Sequence, residues 1–437
     1  MIYYKYRIFL NSPLLGGTIK INNERANYNF ISFAVVLKKN MNKLSDRINS
    51  ISESQTIAMA RKSRELIAEG MDIINLSLGE PDFNTPTVIK EAAKKAIDDN
   101  FSFYTHVSGY LELRQAIAKK FKRDNNLDYT ADQIVVSTGA KQSIANAVLC
   151  LINPGDEIVI PTPYWVSYLE IIKLAGGKAV FIPTSIADDF KISPEKLRAA
   201  ITSKTRLLIF STPCNPTGSV YTGDELKAIA EVIAENEDLM IISDEIYEYI
   251  NFVGKHESMA QFDFIKDRVI TVNGFSKGFA MTGWRLGYIA APLWVAKACD
   301  KMQGQFTSAT CSIGQKAAHV AVELDPAVTL EMRDAFKKRR NIVLTLLKNI
   351  KGLITNVPQG AFYVFPDVTY YFGKTDGEKT IGNSTDLCMY LLDKAHVAIV
   401  PGEAFGAPGY IRFSYATSEN KLREAISRIK TALEKLN

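Results

Sequence analysis

The alternation of short apolar runs with amphipathic stretches between residues 134 and 291 is the feature that most constrains the fold. The apolar runs are IVVS (134–137), EIVIP (157–161), AVFIP (179–183), LLIFS (207–211), LMIIS (239–243), VITVN (269–273) and LGYIAA (286–291). Helical patterns such as GDELKAIAEVIAENE (223–237) separate them. Nearly continuous apolar strands that alternate with helices indicate a mostly parallel sheet between two helix layers. The chain therefore belongs to the α/β class.

The chain continues beyond this region with a different pattern, which predicts a second, smaller domain. With 437 residues, the chain is long enough for two domains. We assign residues 86–324 to the large domain and residues 325–437 to a smaller α+β domain. Residues 41–85 are expected to complete the small domain, and their first part reads as capped helical pieces that end at Gly70. The small domain should contain a long helix (330–350), short strands (397–402 and 411–416) and a closing helix (418–436).

The net charge of +5 comes entirely from the first 40 residues, which contain six basic residues and one acidic residue. The rest of the chain is therefore electrically balanced. A global basic bias of the kind that favours nucleic-acid binding is absent. Any selectivity for anions must come from a local site.

Residues 1–40 form an atypical N-terminal extension with neither a helical period nor the plan of a secretory signal. The apolar run 30–37 is too short to span a membrane. Three interpretations remain open: a stretch upstream of a true start at Met41, a disordered extension, or a targeting segment. N-terminal sequencing of the native protein distinguishes the first from the other two.

Cysteine and histidine usage favours a reduced, cytoplasmic protein without a metal. The five cysteines are dispersed and form no CxxC spacing (Cys150, Cys214, Cys299, Cys311, Cys388). The four histidines have no spacing typical of metal ligands (His106, His256, His319, His396). No apolar run approaches the roughly 20 residues that a membrane helix needs.

Lys277 stands in a tight turn of small residues directly after the apolar strand VITVN. Arg285 follows eight residues later in an otherwise apolar stretch. A solvated loop lysine is the simplest interpretation. A lysine that forms a Schiff base, with an arginine for an anionic phosphate, explains both residues together.

The segment Gly-Phe-Ser-Lys-Gly-Phe-Ala-Met-Thr-Gly-Trp-Arg-Leu-Gly (274–287) resembles the pyridoxal-lysine signature of class I/II aminotransferases at every position. The resemblance extends over nearly all of residues 41–437 and implies the PLP-dependent transferase fold of fold type I, with a seven-stranded sheet in the large domain. It also implies pyridoxal 5′-phosphate (PLP) as cofactor. In some relatives a hydroxyl residue precedes the lysine by three positions, where this chain has Gly274. We expect Ser276 to make that phosphate contact instead.

Other motifs of the family follow in order. Ser-Leu-Gly-Glu-Pro-Asp-Phe (77–83) resembles the turn that places Gly79 against the substrate carboxylate, although a plain turn is an alternative. Tyr104, in the segment 104–114, is expected to reach the cofactor phosphate of a neighbouring subunit in a homodimer; its alternative is a packed core tyrosine. His106 departs from the usual small residue or proline and receives no role.

The turn Ser-Thr-Gly-Ala-Lys-Gln (137–142) joins a strand to a helix, where free backbone N–H groups and the helix dipole suit a phosphate. We assign Gly139, Ala140 and Lys141 to the PLP phosphate, together with Arg285. In Pro-Thr-Pro-Tyr-Trp (161–165), Trp165 is expected to stack on the pyridine ring and line the substrate site, since ligands bind at the carboxyl ends of parallel strands. A core tryptophan is the alternative.

Three polar side chains follow two further strands. By resemblance, Asn215 and Tyr247 hydrogen-bond the phenolic oxygen of the cofactor, and Asn215 also meets the substrate. Asp244 is expected to pair with the pyridine nitrogen and keep it protonated. Its alternative role is a helix N-cap, in which case Asp244 and Tyr247 would share the first helical turn.

Arg412 lies inside the alternating strand IRFSYA and needs an anionic partner. The family uses this position to clamp the α-carboxylate of the substrate. A structural salt bridge is the alternative. Thr56 and Lys141 are candidates for a second, distal substrate carboxylate.

Together these motifs predict a ping-pong aminotransferase in which Lys277 moves the proton as general acid and base. The motifs GEPDF, TGAKQ, PYW and MTGWR are similar to those of bacterial aspartate aminotransferases, so aspartate with 2-oxoglutarate is the first choice. Aromatic amino acids, alanine and prephenate remain alternatives. Two other classes stay open: a PLP cysteine–sulfur lyase, and a non-catalytic protein that retains the scaffold. The intact set of Lys277, Asp244, Arg285 and Arg412 argues against the second.

Overall fold

The computed structural model describes residues 43–437, so the extension predicted at residues 1–40 lies outside the described part. A short helix (Asp46–Ser50) belongs to a unit separate from residues 51–437. The α-helices are α1 (Asp46–Ser50), α2 (Gln55–Ala68), α3 (Thr87–Asp98), α4 (Leu111–Lys120), α5 (Ala140–Leu151), α6 (Ser167–Leu174), α7 (Pro194–Ala200), α8 (Gly223–Ala234), α9 (Leu293–Phe306), α10 (Ser312–Glu323), α11 (Leu330–Leu347), α12 (Ser384–Lys394) and α13 (Glu419–Leu433). As predicted, the N-terminal helical piece ends before Gly70, whose φ of +90° suits only glycine.

The strands follow the predicted apolar runs closely. They are β1 (Ile74–Asn75), β2 (Ile134–Ser137), β3 (Glu157–Thr162), β4 (Lys178–Pro183), β5 (Thr205–Ser211), β6 (Met240–Asp244), β7 (Val269–Gly274), β8 (Gly287–Ala290), β9 (Tyr363–Val364), β10 (Val397–Ala398), β11 (Val400–Pro401) and β12 (Ile411–Ser414). Seven of them form one sheet in the order β2-β8-β7-β6-β5-β3-β4. Only β8 runs against its neighbours, so the sheet is mostly parallel, and the predicted fold class is confirmed.

The direction of the strands decides where chemistry can collect. The parallel strands β2, β3, β5, β6 and β7 all end at the same edge of the sheet. The antiparallel strand β8 begins at that edge, so Arg285, two residues before it, lies there too. Residues from six strand ends therefore converge at one edge.

Two small sheets complete the described fold. The first is the antiparallel sheet β11-β12-β9, and the second pairs β1 with β10 in parallel. Arg412 lies on β12, and Tyr363 lies on the neighbouring strand β9. Helices α11, α12 and α13 contribute apolar side chains to the same buried cluster as these strands. The boundaries at residues 85/86 and 324/325 remain a prediction.

Three simple properties of residues 43–437 bear on function. All five cysteines lie within this range, and each is a free thiol. No helix there combines the length and apolarity needed to cross a membrane. No group of three or more His, Cys, Asp or Glu side chains in this range is arranged to hold a metal ion.

Candidate active site

A cavity of about 340 Å³ opens at the carboxyl edge of the large sheet. Its walls include most of the residues predicted for the site: Gly79, Ala140, Lys141, Trp165, Asn215, Asp244, Tyr247, Ser276, Lys277, Arg285 and Arg412. Gly139 lies directly behind Arg285. The candidate Thr56 also lines the cavity, whereas Tyr104 does not. Gly79 and Arg412, which are 333 positions apart in the chain, thus line the same cavity.

Lys277 is half-buried, so the solvated-lysine alternative does not hold. Its Nζ donates a hydrogen bond to the carbonyl oxygen of Gly79. Burial lowers the pKa of Lys277 to about 8. The positive charges of Arg412 and Arg285 also lower this pKa, whereas the carboxylates of Glu80 and Asp244 raise it. With this pKa, the Lys277 amine becomes neutral and nucleophilic as the pH rises through about 8, where an ordinary lysine is still almost fully protonated.

Asp244 is the last residue of β6 and is buried. Tyr168 Oη donates to its Oδ2 over 2.6 Å, and the backbone N–H of Ile246 donates to Oδ1 over 3.3 Å. Burial raises the pKa of the carboxyl to about 6, although the Tyr168 bond lowers it. At pH 7 to 8 the group is therefore an ionised carboxylate that can hold a cationic ring nitrogen.

The alternative role of Asp244 as a helix N-cap is wrong. Residues 245–250 form successive turns, with Glu248 N bonded to Glu245 O and Ile250 N bonded to Tyr247 O. Asp244 therefore caps no helix. Its carboxylate is aimed at the cavity by the turn.

The N-terminus of α5 and Arg285 form an anion cradle. Gly139 has a φ of +84°, and a Cβ there would lie 2.4 Å from Nη2 of Arg285. A Cβ on Gly287 would lie 2.2 Å from the backbone nitrogen of Ala140, so this glycine lets β8 approach the helix. Ala140 and Lys141 begin α5, and their N–H groups have no intrahelical acceptor. Such a site suits a phosphate.

Arg412 is only 1% exposed. Its Nη1 donates to Asn215 Oδ1 over 2.9 Å, and its Nη2 donates to Ser77 O over 2.6 Å. Its Nε is buried without a partner, and among residues 43–437 no carboxylate pairs with the guanidinium. The salt-bridge alternative is therefore wrong. A buried arginine without a counter-ion is prepared for an anionic ligand.

Aromatic side chains form the remaining walls. Trp165 is partly buried: it packs against a buried apolar cluster and also lines the cavity, where the Lys141 Nζ lies 5.1 Å from its ring centroid. Tyr247 and Tyr363 share a hydrogen bond of 2.7 Å between their hydroxyls. The Tyr363 ring also lies 4.5 Å from the Arg412 guanidinium carbon. The phenol, indole and guanidinium groups of these residues thus line the same cavity.

Two positions lie apart from this arrangement. Tyr104 is 96% exposed, so the core-tyrosine alternative is wrong, and the residue is free to contact another molecule. Gly274 has no space for a side chain, because a Cβ would lie 2.8 Å from the Gly287 Cα and 2.9 Å from Leu286 O. The hydroxyl seen at this position in some relatives cannot be accommodated without a shift, and Ser276 is the hydroxyl that lines the cavity instead.

The sequence model of the family "Aminotransferase class I and II" matches residues 71–429. The chain belongs to this family. It is 49% identical over 411 residues to a bifunctional aspartate aminotransferase and glutamate/aspartate-prephenate aminotransferase of Petunia hybrida, covering 92% of this chain and 86% of that protein. An aspartate/prephenate aminotransferase of Nitrosomonas europaea is 44% identical over 395 residues, which cover 90% of this chain and 100% of that protein.

Solved structures agree with this assignment. An aspartate aminotransferase from Rhizobium meliloti superposes with a TM-score of 0.87 at 41% identity, covering 90% of this chain and 99% of that one. The aspartate aminotransferase from Thermus thermophilus with maleate superposes with a TM-score of 0.84 at 38% identity, and the match covers 89% of this chain and 99% of that one. The aminotransferase described here thus shares both the family sequence pattern and its three-dimensional fold.

Membership in this family implies PLP as cofactor, and the cavity of this aminotransferase fits that group. The cradle at Gly139 matches a phosphate, the ionised Asp244 matches a cationic ring nitrogen, and Lys277 offers an amine of lowered pKa. A volume of about 340 Å³ is within the range of small-ligand sites.

Sequence reasoning missed several residues of the site. Tyr168, Tyr363 and Glu80 line the cavity, and Ser77 O holds Arg412. Tyr168 follows Trp165 by three positions in an amphipathic stretch, where a tyrosine reads as a core residue. Tyr363 comes from a distant strand without a motif. Glu80 was visible in GEPDF, but nothing in the sequence placed its carboxylate near Thr282, whose Oγ1 donates to it over 3.1 Å.

Replacing Tyr168 by Phe is expected to weaken PLP binding about tenfold, because the Asp244 carboxylate loses a charge-assisted hydrogen bond. In the wild type, the affinity for PLP is expected to fall as the pH drops through about 6, the pKa of Asp244. Without the Tyr168 hydrogen bond this pKa is higher, so in the variant the affinity for PLP starts to fall at a higher pH. PLP titrations of the cofactor-free protein between pH 5.5 and about 8.5 measure both effects. Tyr390→Phe, at a buried hydroxyl bonded to Ala432 O, is the control. Equal affinity of the two variants at every pH contradicts this role.

Proposed function

We propose that this aminotransferase transfers the amino group of L-aspartate to 2-oxoglutarate by a ping-pong mechanism with PLP. The observation that carries the proposal is the charge pattern of the cavity. Besides the Lys277 amine, three basic side chains line it (Lys141, Arg285, Arg412) against two carboxylates (Glu80, Asp244). Such a surplus suits a cofactor phosphate together with a dicarboxylic substrate. The relatives named as aspartate aminotransferases support the same substrate.

The resemblance to the family assigns the residues that would hold the cofactor, and all of them line the cavity or adjoin it. Arg285, Ser276 and the N-terminus of α5 would bind its phosphate. Asp244 would bind the ring nitrogen, Trp165 would cover the ring, and Asn215 and Tyr247 would bind the phenolic oxygen. When bound, PLP withdraws electrons from the Cα of an attached amino acid and accepts its amino group.

The protein's own groups bind the substrate and move the proton. Arg412 holds the α-carboxylate, with Gly79 beside it, and its bond to Asn215 fixes the orientation of the guanidinium. Lys141 and Thr56 are the candidates for the distal carboxylate. The neutral Nζ of Lys277 removes the proton from the substrate Cα and later returns a proton, as general base and then general acid.

A second acceptor is prephenate, which also carries two carboxylates. Its support is specific: relatives from petunia and Nitrosomonas at 49% and 44% identity are named for prephenate as well as aspartate. The same cations serve both substrates, so the two activities belong to one site.

The test is a set of coupled assays on the purified protein with PLP. Aspartate with 2-oxoglutarate is expected to give oxaloacetate and glutamate, and prephenate is expected to replace 2-oxoglutarate with lower or comparable efficiency. Pyruvate release from cystathionine without a keto acid indicates the lyase alternative. Faster turnover of alanine or phenylalanine than of aspartate refutes the dicarboxylate assignment.

The rate at which the cofactor-free protein attaches PLP is expected to rise with pH and level off near 8. The reason is that the lowered pKa of Lys277 leaves its amine neutral above that value. An ordinary lysine would give a rate that climbs until about pH 10.4. Stopped-flow measurement of the visible absorbance after mixing decides between them. A rate still increasing tenfold per pH unit at pH 9.5 contradicts the lowered pKa.

We further propose a cytoplasmic homodimer in which Tyr104 reaches the cofactor phosphate of the partner. Its 96% exposed ring, next to Phe103 at 81% exposure, supports this arrangement. Sedimentation is expected to give twice the mass of one chain, and Tyr104→Ala is expected to weaken PLP binding. A fully active monomer contradicts the proposal.

A further inference from the structure

A buried group of charged and amide side chains lies directly behind the active site and takes no part in the chemistry described above. Lys120, Asn125, Glu248 and Asn273 make up this group, which we call the Glu248 bridge. Each of the four residues is at most 7% exposed. Lys120 and Asn125 come from the end of α4 and the π-helical turn that follows it (Phe121–Asn125). π-Helical turns are rare and occur frequently at functional sites.

Glu248 is the centre of the bridge. Its Oε1 accepts from Lys120 Nζ over 2.6 Å and from Asn125 Nδ2 over 3.1 Å. Its Oε2 accepts from Asn273 Nδ2 over 2.5 Å. Asn273 in turn accepts from the backbone N–H of Gly274 over 2.7 Å through its Oδ1. A continuous chain of hydrogen bonds therefore joins α4 to the end of β7.

The bridge connects the two turns that carry the reacting groups. Glu248 belongs to the turns at 245–250, which follow Asp244 and include Tyr247, and Asn273 lies at the end of β7, just before the turn that carries Lys277. The two segments also pack closely against each other at two glycines. A Cβ on Gly278 would lie 2.6 Å from the Tyr249 ring, and a Cβ on Gly274 would lie 3.2 Å from the Ile246 side chain.

Stability alone does not explain the charges. A buried ion pair is often matched or exceeded in stability by apolar side chains of similar volume, because both charges lose their hydration. What the ion pair and its amides add is directionality, since hydrogen bonds fix distances and angles that apolar contacts leave loose. The bridge is therefore built to set a geometry.

We propose that Glu248, with Lys120 as its counter-ion and Asn273 as its partner, is a positioning residue that fixes Lys277 relative to Asp244 and Tyr247. This inference rests on the proposed PLP chemistry. Displacement of reacting groups by about 1 Å can lower a rate about 100-fold, so loss of the bridge should reduce kcat. Arg412 bonds to Asn215 and Ser77 outside the bridge, so KM for aspartate should change little.

The test compares two double variants that both remove the charges. Lys120→Met with Glu248→Leu abolishes the acceptor for Asn273, whereas Lys120→Met with Glu248→Gln retains it. We expect kcat to fall about 10- to 100-fold in the Leu variant and to recover to within about threefold in the Gln variant, with KM for aspartate within about threefold in both. The visible absorbance of bound PLP, titrated with pH in the absence of substrate, should shift in the Leu variant alone.

The single variant Asn273→Ala keeps the ion pair and is expected to reproduce the kcat loss and the spectral shift. If the Leu variant does not fold, Asn273→Ala tests by itself whether the Glu248 bridge positions Lys277. The control is Lys191→Met with Glu225→Gln, which removes an ion pair of 2.9 Å remote from the cavity and preserves the cap of α8. Wild-type kcat and spectrum in Asn273→Ala, or equal impairment of the Leu and Gln variants, overturn the proposal. Absence of transamination in the wild type instead refutes the proposed function, and the substrate-free spectra still report on the bridge.

Discussion

Replacing Lys277 by Ala is expected to lower kcat/KM by more than about 10⁴-fold and to abolish the visible absorbance of the attached cofactor. The loss is this large because one amine serves both as the point of covalent attachment and as the acid–base group. Lys141 also lines the cavity, but it lies at the start of α5 with its Nζ 5.1 Å from the Trp165 ring centroid, and we do not expect it to replace Lys277. Steady-state kinetics and an absorption spectrum of the same sample measure the two effects.

The control for this variant is Lys173→Ala, at a lysine of α6 that pairs with Glu170 outside the cavity. Its kinetics and spectrum should match the wild type. Turnover retained in Lys277→Ala at more than about 1% of the wild-type rate removes Lys277 from its assigned role.

Replacing Arg412 by Lys is expected to raise KM about 30-fold for every amino and keto acid tested, which corresponds to about 2 kcal/mol. Lysine keeps the positive charge but not the planar pair of donors that meets a carboxylate. It also lacks the two separate donor nitrogens with which the guanidinium holds Asn215 Oδ1 and Ser77 O. The uniformity of the effect identifies the α-carboxylate, because it is the group that all the substrates share.

Arg198→Lys is the matched control, since Arg198 pairs with Glu235 in an exposed ion pair. Its KM values should be unchanged. If Arg412→Lys leaves KM unchanged and lowers only thermal stability, the arginine is structural. If KM rises for aspartate but not for a monocarboxylic amino acid, Arg412 meets the distal carboxylate instead.

The large sheet was predictable because a parallel strand that is buried on both faces must be apolar along its whole length. Each predicted run differs from its strand by only a few residues, and β8 is the one antiparallel member. Once the strands are parallel, their carboxyl ends must share an edge. The meeting of Lys277, Asp244 and Asn215 in one cavity therefore follows from the sequence pattern.

The turn after Asp244 was not predictable from local spacing. The interval between Asp244 and Tyr247 suits a helix, but the acidic side chains between and after them have stronger long-range partners. Glu245 accepts from Ser258, 13 positions away, over 2.8 Å, and Glu248 accepts from Lys120, 128 positions away, over 2.6 Å. These bonds hold the segment in successive turns instead of a helix.

Partners from distant segments were missed for a related reason. Tyr363 reaches Tyr247 across 116 positions, and Ser77 reaches Arg412 across 335. No periodicity in the sequence encodes such pairs. They arise only when β9 and β12 pair and bring both strands to the mouth of the large sheet.

A half-reaction measures most directly whether one cavity accepts an amino group and passes it on. Aspartate is added to the purified protein with PLP but without a keto acid, while oxaloacetate and the visible absorbance are followed. We expect one oxaloacetate per site with loss of the visible band, and recovery of the band when 2-oxoglutarate is added. Continuous product release without a keto acid, or a band that does not respond to aspartate, contradicts it.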